Sequence, residues 1–305
     1  MASSSNPAFS NPAFQEHGSA QRPGLTPPAA QTQFGASSAQ SVDLAAQAQL
    51  EGAFAAPAAG AVETGRMTVE DTVVKTLALF GILLVTAVAG WLWTMAPVTA
   101  ANPTPTIMPW IIGALGGFVL AMVVTFTSRK KVRPALIFGY AAFEGLFIGG
   151  ISAFFEFMWP GIVMQATLAT LSVVGVTLAL FASGKVRASA KATKIFLIAM
   201  IGYLVFSLVN VVLMMFGAFG AGSGGPFGML SDVRIAGIPL GVIIGVAVVI
   251  MAAYSLVLDF DSIQQGVRNG APRQYAWLGA FGIMVTVVWL YVEILRMIAI
   301  LRGNN

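Results

Sequence analysis

Four acidic residues stand out inside or at the edge of long apolar segments of this 305-residue chain: Glu144, Asp259, Asp261 and Glu293. An ionisable side chain in the hydrocarbon of a bilayer costs about 2.5–3.5 kcal/mol or more, and such residues usually mark ion or proton pathways. A carboxylate can take up or release a proton, and its oxygens are ligands that Ca²⁺ accepts. The chemistry that these residues favour is therefore proton-dependent cation binding.

Two of the four acids have informative neighbours. Glu144 lies about ten residues into its segment, roughly 15 Å deep at 1.5 Å per residue, beside Gly145 and Gly149. Small neighbours let another helix approach, so we expect Glu144 to face the bundle interior, either as a proton or cation ligand or as a neutral, hydrogen-bonded structural residue. Glu293 has Arg296 three residues further on, a spacing that allows an intrahelical ion pair. Glu293 is therefore either a functional acid or one partner of an ion pair that only stabilises the helix.

The other two acids, Asp259 and Asp261, are two residues apart, which is about 200° of rotation on a helix. Only one of them can therefore face the centre of a helix bundle. Both lie at the end of an apolar segment, so a solvated helix terminus is the alternative position for the other one.

The composition excludes most other chemistry. Hydrophobic residues make up 57% of the chain and charged residues 9%, whereas a soluble domain carries about 25% charge. There is no cysteine, and the one histidine, His17, lies in a polar segment, so thiolate catalysis, zinc–thiolate sites and histidine-based triads are excluded. The net charge of +4 is scattered, which argues against nucleic-acid binding. We expect neither an enzyme nor a bound cofactor.

Seven apolar segments are long enough to hold these acids within a lipid bilayer. They cover about residues 76–95, 107–127, 135–157, 161–182, 194–218, 235–258 and 276–300. About 20 residues cross the hydrocarbon as a helix, where no backbone polar group can be left unbonded. Seven prolines fall at the connections, where they disturb helices least: Pro97, Pro103, Pro105, Pro134, Pro160, Pro226 and Pro272. The sequence predicts an all-α membrane domain over residues 67–305.

The first 66 residues have few large apolar side chains and no helical or strand period. They bury too little area to offset the entropy of ordering, so we expect a disordered N-terminal tail over residues 1–66. The tail contains an imperfect repeat, Asn-Pro-Ala-Phe at residues 6–9 and 11–14. The repeat is either low-complexity sequence or a docking peptide for a membrane-protein partner.

Lysine and arginine collect in alternate connections. Ten of them lie in the second, fourth and sixth connections: Arg129, Lys130, Lys131, Arg133, Lys185, Arg187, Lys191, Lys194, Arg268 and Arg273. Cytoplasmic loops carry an excess of such residues, so we expect a cytoplasmic N-terminus and an external C-terminus. The sequence predicts a multi-pass protein of a bacterial plasma membrane.

Three motifs follow one another along the membrane domain. They are the glycine-rich Glu144-Gly145-Leu146-Phe147-Ile148-Gly149-Gly150, then Leu258-Asp259-Phe260-Asp261-Ser262-Ile263, then Trp289-Leu290-Tyr291-Val292-Glu293-Ile294-Leu295. Together with the seven segments, these motifs resemble the Bax inhibitor-1 family over about residues 67–302. The N-terminal tail and the Glu144-Gly145 pair of the first motif resemble an actinobacterial branch of that family.

The resemblance implies six helices packed around the last one and a pH-sensitive calcium leak gated by an acidic dyad. By position the dyad would be Asp261 and Glu293, which would also bind calcium, with Asp259 and Arg296 in support. The second member is Glu where the family has Asp, and the two are 32 residues apart where the family spacing lies in the low to middle twenties. Glu144 is therefore the alternative partner for Glu293.

Two carboxyls that share a site cannot both ionise cheaply, so one keeps a proton and bridges the pair. Loss of that proton would drive the last two helices apart and expose an oxygen-lined cation site. We therefore predict a proton-gated calcium leak. A non-transporting regulator that binds a membrane protease or another membrane protein is the main alternative, and a secondary transporter is the third.

Overall fold

The computed structural model of the protein describes residues 65–128, 131–216 and 227–303. Within these ranges seven helices are long and apolar enough to cross a membrane, which confirms the predicted all-α membrane architecture. The predicted disordered tail lies outside the described residues, apart from Gly65 and Arg66, and so does the Asn-Pro-Ala-Phe repeat.

Eight α-helices follow one another in the described residues. They are α1 (Val69–Met95), α2 (Met108–Thr127), α3 (Pro134–Met158), α4 (Ile162–Ala182), α5 (Ala190–Met215), the short α6 (Met229–Asp232), α7 (Leu240–Arg268) and α8 (Ala276–Gly303). A two-stranded antiparallel ribbon, β1 (Arg234–Ile235) and β2 (Ile238–Pro239), precedes α7. A 3₁₀ turn, Arg273–Tyr275, precedes α8.

Two helices extend furthest beyond the predicted apolar segments, because polar residues continue them. α1 begins at Val69, where the amide of Asp71 donates to the Thr68 hydroxyl at 3.0 Å. This cap, together with acidic residues in the first turn, stabilises the start of a helix. α7 continues past residue 258 to Arg268. Hydropathy thus locates the apolar centre of each helix and misses its polar ends.

α8 is the central helix of the bundle. The buried share of its most apolar stretch is 50%, the highest of the seven, and that of α5 is 11%, the lowest. Leu278, Met284, Leu290 and Leu295 of α8 are fully buried, and α8 packs against α1, α4 and α7. The interior is therefore built around the last helix, whereas α5 lies at the edge.

Glycines let α3 pack closely between α1 and α2. A Cβ added at Gly149 of α3 would overlap the carbonyl of Ala87 in α1, and one added at Gly113 of α2 would overlap the backbone of Phe147 in α3. In lipid, small residues of this kind allow the close backbone approach that holds helices together. The glycine-rich motif at residues 144–150 is therefore a packing surface.

Gly149→Ala is expected to lower the melting temperature of the detergent-solubilised protein, because overpacking typically costs about 1–3 kcal/mol. Gly175→Ala in α4 is the matched control, since no atom lies within 4 Å of a Cβ added there and alanine is the better helix former. Thermal unfolding should place Gly149→Ala below the parent and Gly175→Ala at or above it. Equal melting temperatures for the two variants would contradict this packing account.

Polar contacts fix which helix ends share a side of the bundle. The amide of Met67 donates to the Ala271 carbonyl at 2.7 Å, and the Arg273 guanidinium lies 3.0 Å from the Asp71 carboxylate, so α1 and α8 start together. At the other end of α8, Arg302 donates to the Pro160 carbonyl, between α3 and α4, at 2.8 Å. The start of α1 and the end of α8 therefore lie on opposite sides.

Candidate functional site

The last two spans, α7 and α8, form an antiparallel pair whose register sets the level of each acid. A Cβ added at Gly245 of α7 would lie 3.2 Å from the Met297 side chain of α8. About four turns further along α7, Asp259 is bonded to Thr286 of α8. Residue numbers therefore increase along α7 in the direction in which they decrease along α8.

Asp259 is the most enclosed of the four candidate acids. The residue is 0% exposed, and its Oδ2 accepts a hydrogen bond from the Thr286 hydroxyl at 2.6 Å. Ser255, one turn earlier on α7, brings its hydroxyl within 3.4 Å of that of Thr286. A carboxyl and two hydroxyls thus meet between α7 and α8, where their oxygens can bind a proton or a cation.

Asp261 lies on a different face of α7, as its two-residue separation from Asp259 requires. It is half-buried, and its Oδ2 accepts a hydrogen bond from the side-chain amide of Gln265, one turn later on the same helix, at 2.7 Å. Of the two aspartates, the structure therefore turns Asp259, not Asp261, toward α8.

Glu293 occupies a separate polar site between α8 and α5. The residue is 3% exposed, its Oε1 is paired with the Arg296 guanidinium, and its Oε2 accepts a hydrogen bond from the Tyr203 hydroxyl of α5 at 2.9 Å. The predicted intrahelical pair is thus present. Because Arg296 neutralises Glu293 and Tyr203 occupies its second oxygen, this acid holds α5 against α8.

The structure does not bring Asp261 and Glu293 together. Glu293 lies on α8 between the two contacts that define the register, so it is level with the part of α7 that precedes Asp259. By that register, its level is roughly twelve residues from Asp261 along α7, or about 18 Å at 1.5 Å per residue. The dyad that the family resemblance implied at these two positions is not assembled.

Glu144 is half-buried in α3 and lies against α2. A Cβ added at Gly117 of α2 would lie 2.8 Å from the Glu144 carboxylate, so the glycine leaves the room that this carboxyl fills. Its other neighbour is Tyr140, one turn earlier on α3. Among the described residues no hydrogen bond or ion pair joins Glu144 to Glu293, so the alternative dyad is not assembled either.

Sequence reasoning missed the hydroxyl residues of the two polar sites. Thr286 and Tyr203 lie on helices other than those of the acids they contact. Ser255 lies one turn before Asp259 on α7 and contacts Thr286. Local spacing in the sequence gives no signal for contacts between helices. Only Tyr203 gave a signal in the sequence, because a polar ring in a strongly apolar helix indicates a polar partner.

The described residues contain no group of three or more histidine, cysteine, aspartate or glutamate side chains that could hold a metal ion. A cation at Asp259 would therefore depend on hydroxyl, carbonyl and water oxygens beside one carboxylate, which the flexible coordination of Ca²⁺ permits. Binding of this kind is weak, and conduction requires sites that an ion can leave as well as enter.

Comparison with known proteins gives one match. A family model described as Bax inhibitor 1 like matches residues 6–303. The match covers the membrane domain and also begins within the N-terminal tail, at the first Asn-Pro-Ala-Phe copy. Neither a curated protein nor a solved structure matches the chain.

Proposed function

The chain belongs to the Bax inhibitor 1 like family, and from that premise we propose that it is a pH-sensitive cation leak of the bacterial plasma membrane that conducts Ca²⁺. Asp259 is the acid that controls the leak, and Thr286 and Ser255 provide oxygen ligands beside it. The protein acts without a cofactor and catalyses no reaction.

One observation carries this proposal: Asp259 is fully buried in the membrane domain and bonded to a hydroxyl of the central helix. An ionised carboxylate at such depth is costly unless a cation or other polar groups compensate it. When Asp259 is protonated the site is neutral and attracts no cation. When the proton leaves, the carboxylate and its hydroxyl neighbours draw a cation in, so flux rises as pH rises.

This mechanism replaces the predicted repulsion between two carboxyls. The Thr286 hydroxyl donates a hydrogen bond to Asp259, and a hydroxyl does not repel a carboxylate. Control then comes from attraction of the cation to one titrating group. Glu293 and Glu144, which contact α5 and α2, have structural roles in this account.

Calcium uptake into liposomes that contain the purified protein tests the leak directly. We expect uptake well above that of protein-free liposomes, and competition by other hard divalent cations, because the ligands are oxygen atoms. Uptake no faster than in protein-free liposomes, with the protein shown to be folded by thermal unfolding, would reject the leak.

A second candidate function is favoured by the extent of the family match. The matched residues start at residue 6, so the tail belongs to the family pattern. In this alternative the protein is a non-transporting regulator that binds another membrane protein, such as a membrane protease, through residues 6–14.

Deleting residues 2–60 separates the two functions. The membrane domain should keep its melting temperature and its calcium flux, because Met67, buried to 1% exposure against the start of α8, is retained. Thermal unfolding in detergent and flux in liposomes measure both. A large loss of stability would show that the tail is part of the fold, and loss of a captured membrane protein with unchanged stability would favour the regulator.

The proposed orientation has a cytoplasmic N-terminus and an external C-terminus. The two basic connections that the structure describes most fully support a common side, since Arg187 donates to the Gln264 side chain near the end of α7 at 3.0 Å. Positively charged connections are retained in the cytoplasm. Reporter fusions after Gly184 and Asn305 should report the inside and the outside, respectively, and the same side for both would contradict the orientation.

A further inference from the structure

α5 carries a polar stripe along the face that it turns toward α7 and α8. The residues of this face recur every three or four positions, as one face of a helix requires: Thr193, Phe196, Met200, Tyr203, Ser207 and Asn210. The opposite face is apolar and exposed, with Ile198 at 73% and Leu208 at 62% exposure. Polar side chains within a membrane face the bundle interior or a water-filled cavity. We therefore expect the polar residues of α5 to face the bundle interior or a water-filled cavity.

Polar contacts at three levels hold α5 in place. Near its start, the hydroxyls of Thr193 and Tyr254 of α7 are 3.0 Å apart. In its middle, Tyr203 donates to Glu293 of α8 at 2.9 Å, and near its end Asn210 accepts from the backbone at the start of α6 at 2.9 Å. Since α5 is the least buried of the spans, little apolar packing closes the space between these contacts.

A crevice of about 690 Å³ fills that space between α5 and the last two spans. Ser255 and Thr286 line it next to Asp259, and Tyr203 lines it next to Glu293. The crevice therefore extends from the hydroxyls beside Asp259 to the tyrosine beside Glu293.

The α8 residues of the two sites, Thr286 and Glu293, lie on the same face of that helix. Thr286 and Glu293 are seven residues apart, which is two helical turns, so their side chains project to one side about 10.5 Å apart along the axis. Trp289, between them, also lines the crevice. An apolar stretch between polar ends is the arrangement of pathways that gate by dewetting.

Arg296 is the ion-pair partner of Glu293. Its Nε is buried and has no hydrogen-bond acceptor within the described part of the chain, and its guanidinium carbon lies 6.0 Å from the centre of the Tyr203 ring. A buried donor without an acceptor costs about 1–3 kcal/mol, so a water molecule beside Arg296 would stabilise the Glu293 site.

We propose that cations reach Asp259 through this crevice, between α5 and the pair of helices α7 and α8, and that Ser207 is one of the residues lining the route. Tyr203, held by Glu293, narrows the route at its far end, and the hydroxyls of Ser255 and Thr286 receive the cation at the other. The inference rests on the proposed leak, because it names the path to the site of that leak.

Single cysteines can test the crevice, because the chain has no native cysteine and thiol reagents require the thiolate that forms in water. Ser207→Cys lies in the polar stripe. Ser172→Cys is the matched control on the exposed, membrane-facing side of α4, and Ser183→Cys in the exposed connection after α4 is the positive control. Each variant, in liposomes, is treated with a small cationic thiol reagent, and labelling and calcium flux are measured.

The proposal predicts that Ser207→Cys is labelled much faster than Ser172→Cys, because a hydrated thiol forms the reactive thiolate, and that its labelling blocks flux. Labelling no faster than that of Ser172→Cys would overturn the proposal, since the crevice would then hold lipid tails. Labelling of Ser207→Cys without loss of flux would show that cations do not pass through the crevice, and would also overturn the proposal. Absence of flux from every sample, with Ser207→Cys still labelled, would reject the leak and leave a water-filled, cation-accessible cleft.

Discussion

Asp259→Asn is expected to remove the pH dependence of calcium flux and to hold flux at the low level that the parent shows in acid. An amide has no proton to lose at accessible pH and offers the cation no negative charge. Each ~1.4 kcal/mol of lost cation binding corresponds to a factor of ten, so we expect flux at mildly alkaline pH to fall about tenfold. Calcium uptake into liposomes at acidic and alkaline pH measures both effects.

Asp261→Asn is the matched control, because it makes the same chemical change two residues away on the same helix. Asp261 is half-buried and bonded to Gln265 within α7, so its variant should keep the rise of flux with pH. The family resemblance, applied to sequence positions alone, predicts the reverse. Loss of the pH response in Asp261→Asn with its retention in Asp259→Asn would contradict the assignment to Asp259.

Glu293→Gln is expected to cause the largest loss of stability among the acid-to-amide variants. Glu293 is 3% exposed and the Arg296 side chain 14%, so the variant leaves a nearly buried guanidinium without its counter-charge. Removing one partner of a buried ion pair costs about 3–5 kcal/mol. Thermal unfolding in detergent should therefore show a much lower melting temperature than that of Asp261→Asn.

The double variant Glu293→Gln with Arg296→Met provides the control for this prediction. It removes both charges, and neutral replacement of a whole buried pair is often tolerated. We expect it to recover most of the stability lost in Glu293→Gln, which a double-mutant cycle measures. A double variant as unstable as the sum of its single variants would show that the two charges are not coupled.

The helical architecture could be predicted because lipid leaves the backbone few choices. Seven apolar runs of sufficient length require seven helices, and the described residues contain them. The helix ends could not be read from hydropathy, because polar residues at the start of α1 and the end of α7 continue each helix through local hydrogen bonds such as the Thr68 cap.

The candidate site could be predicted only where it depends on local spacing. The pair of Glu293 and Arg296 follows from a three-residue separation, and it forms. Which of Asp259 and Asp261 faces α8 depends on the rotation of α7 about its axis, which their spacing leaves open. The bond from Tyr203 to Glu293 joins residues 90 positions apart, so it becomes visible only once α5 is packed against α8.

The central claim is that the charge of one buried carboxyl, that of Asp259, controls cation flux. Calcium flux through the purified protein in liposomes, followed across a pH series for the parent and for Asp259→Asn, tests this most directly. The account predicts that flux through the parent rises as pH increases and that the rise disappears in the variant. Flux that ignores pH in the parent, or a pH response that survives in Asp259→Asn, would contradict it.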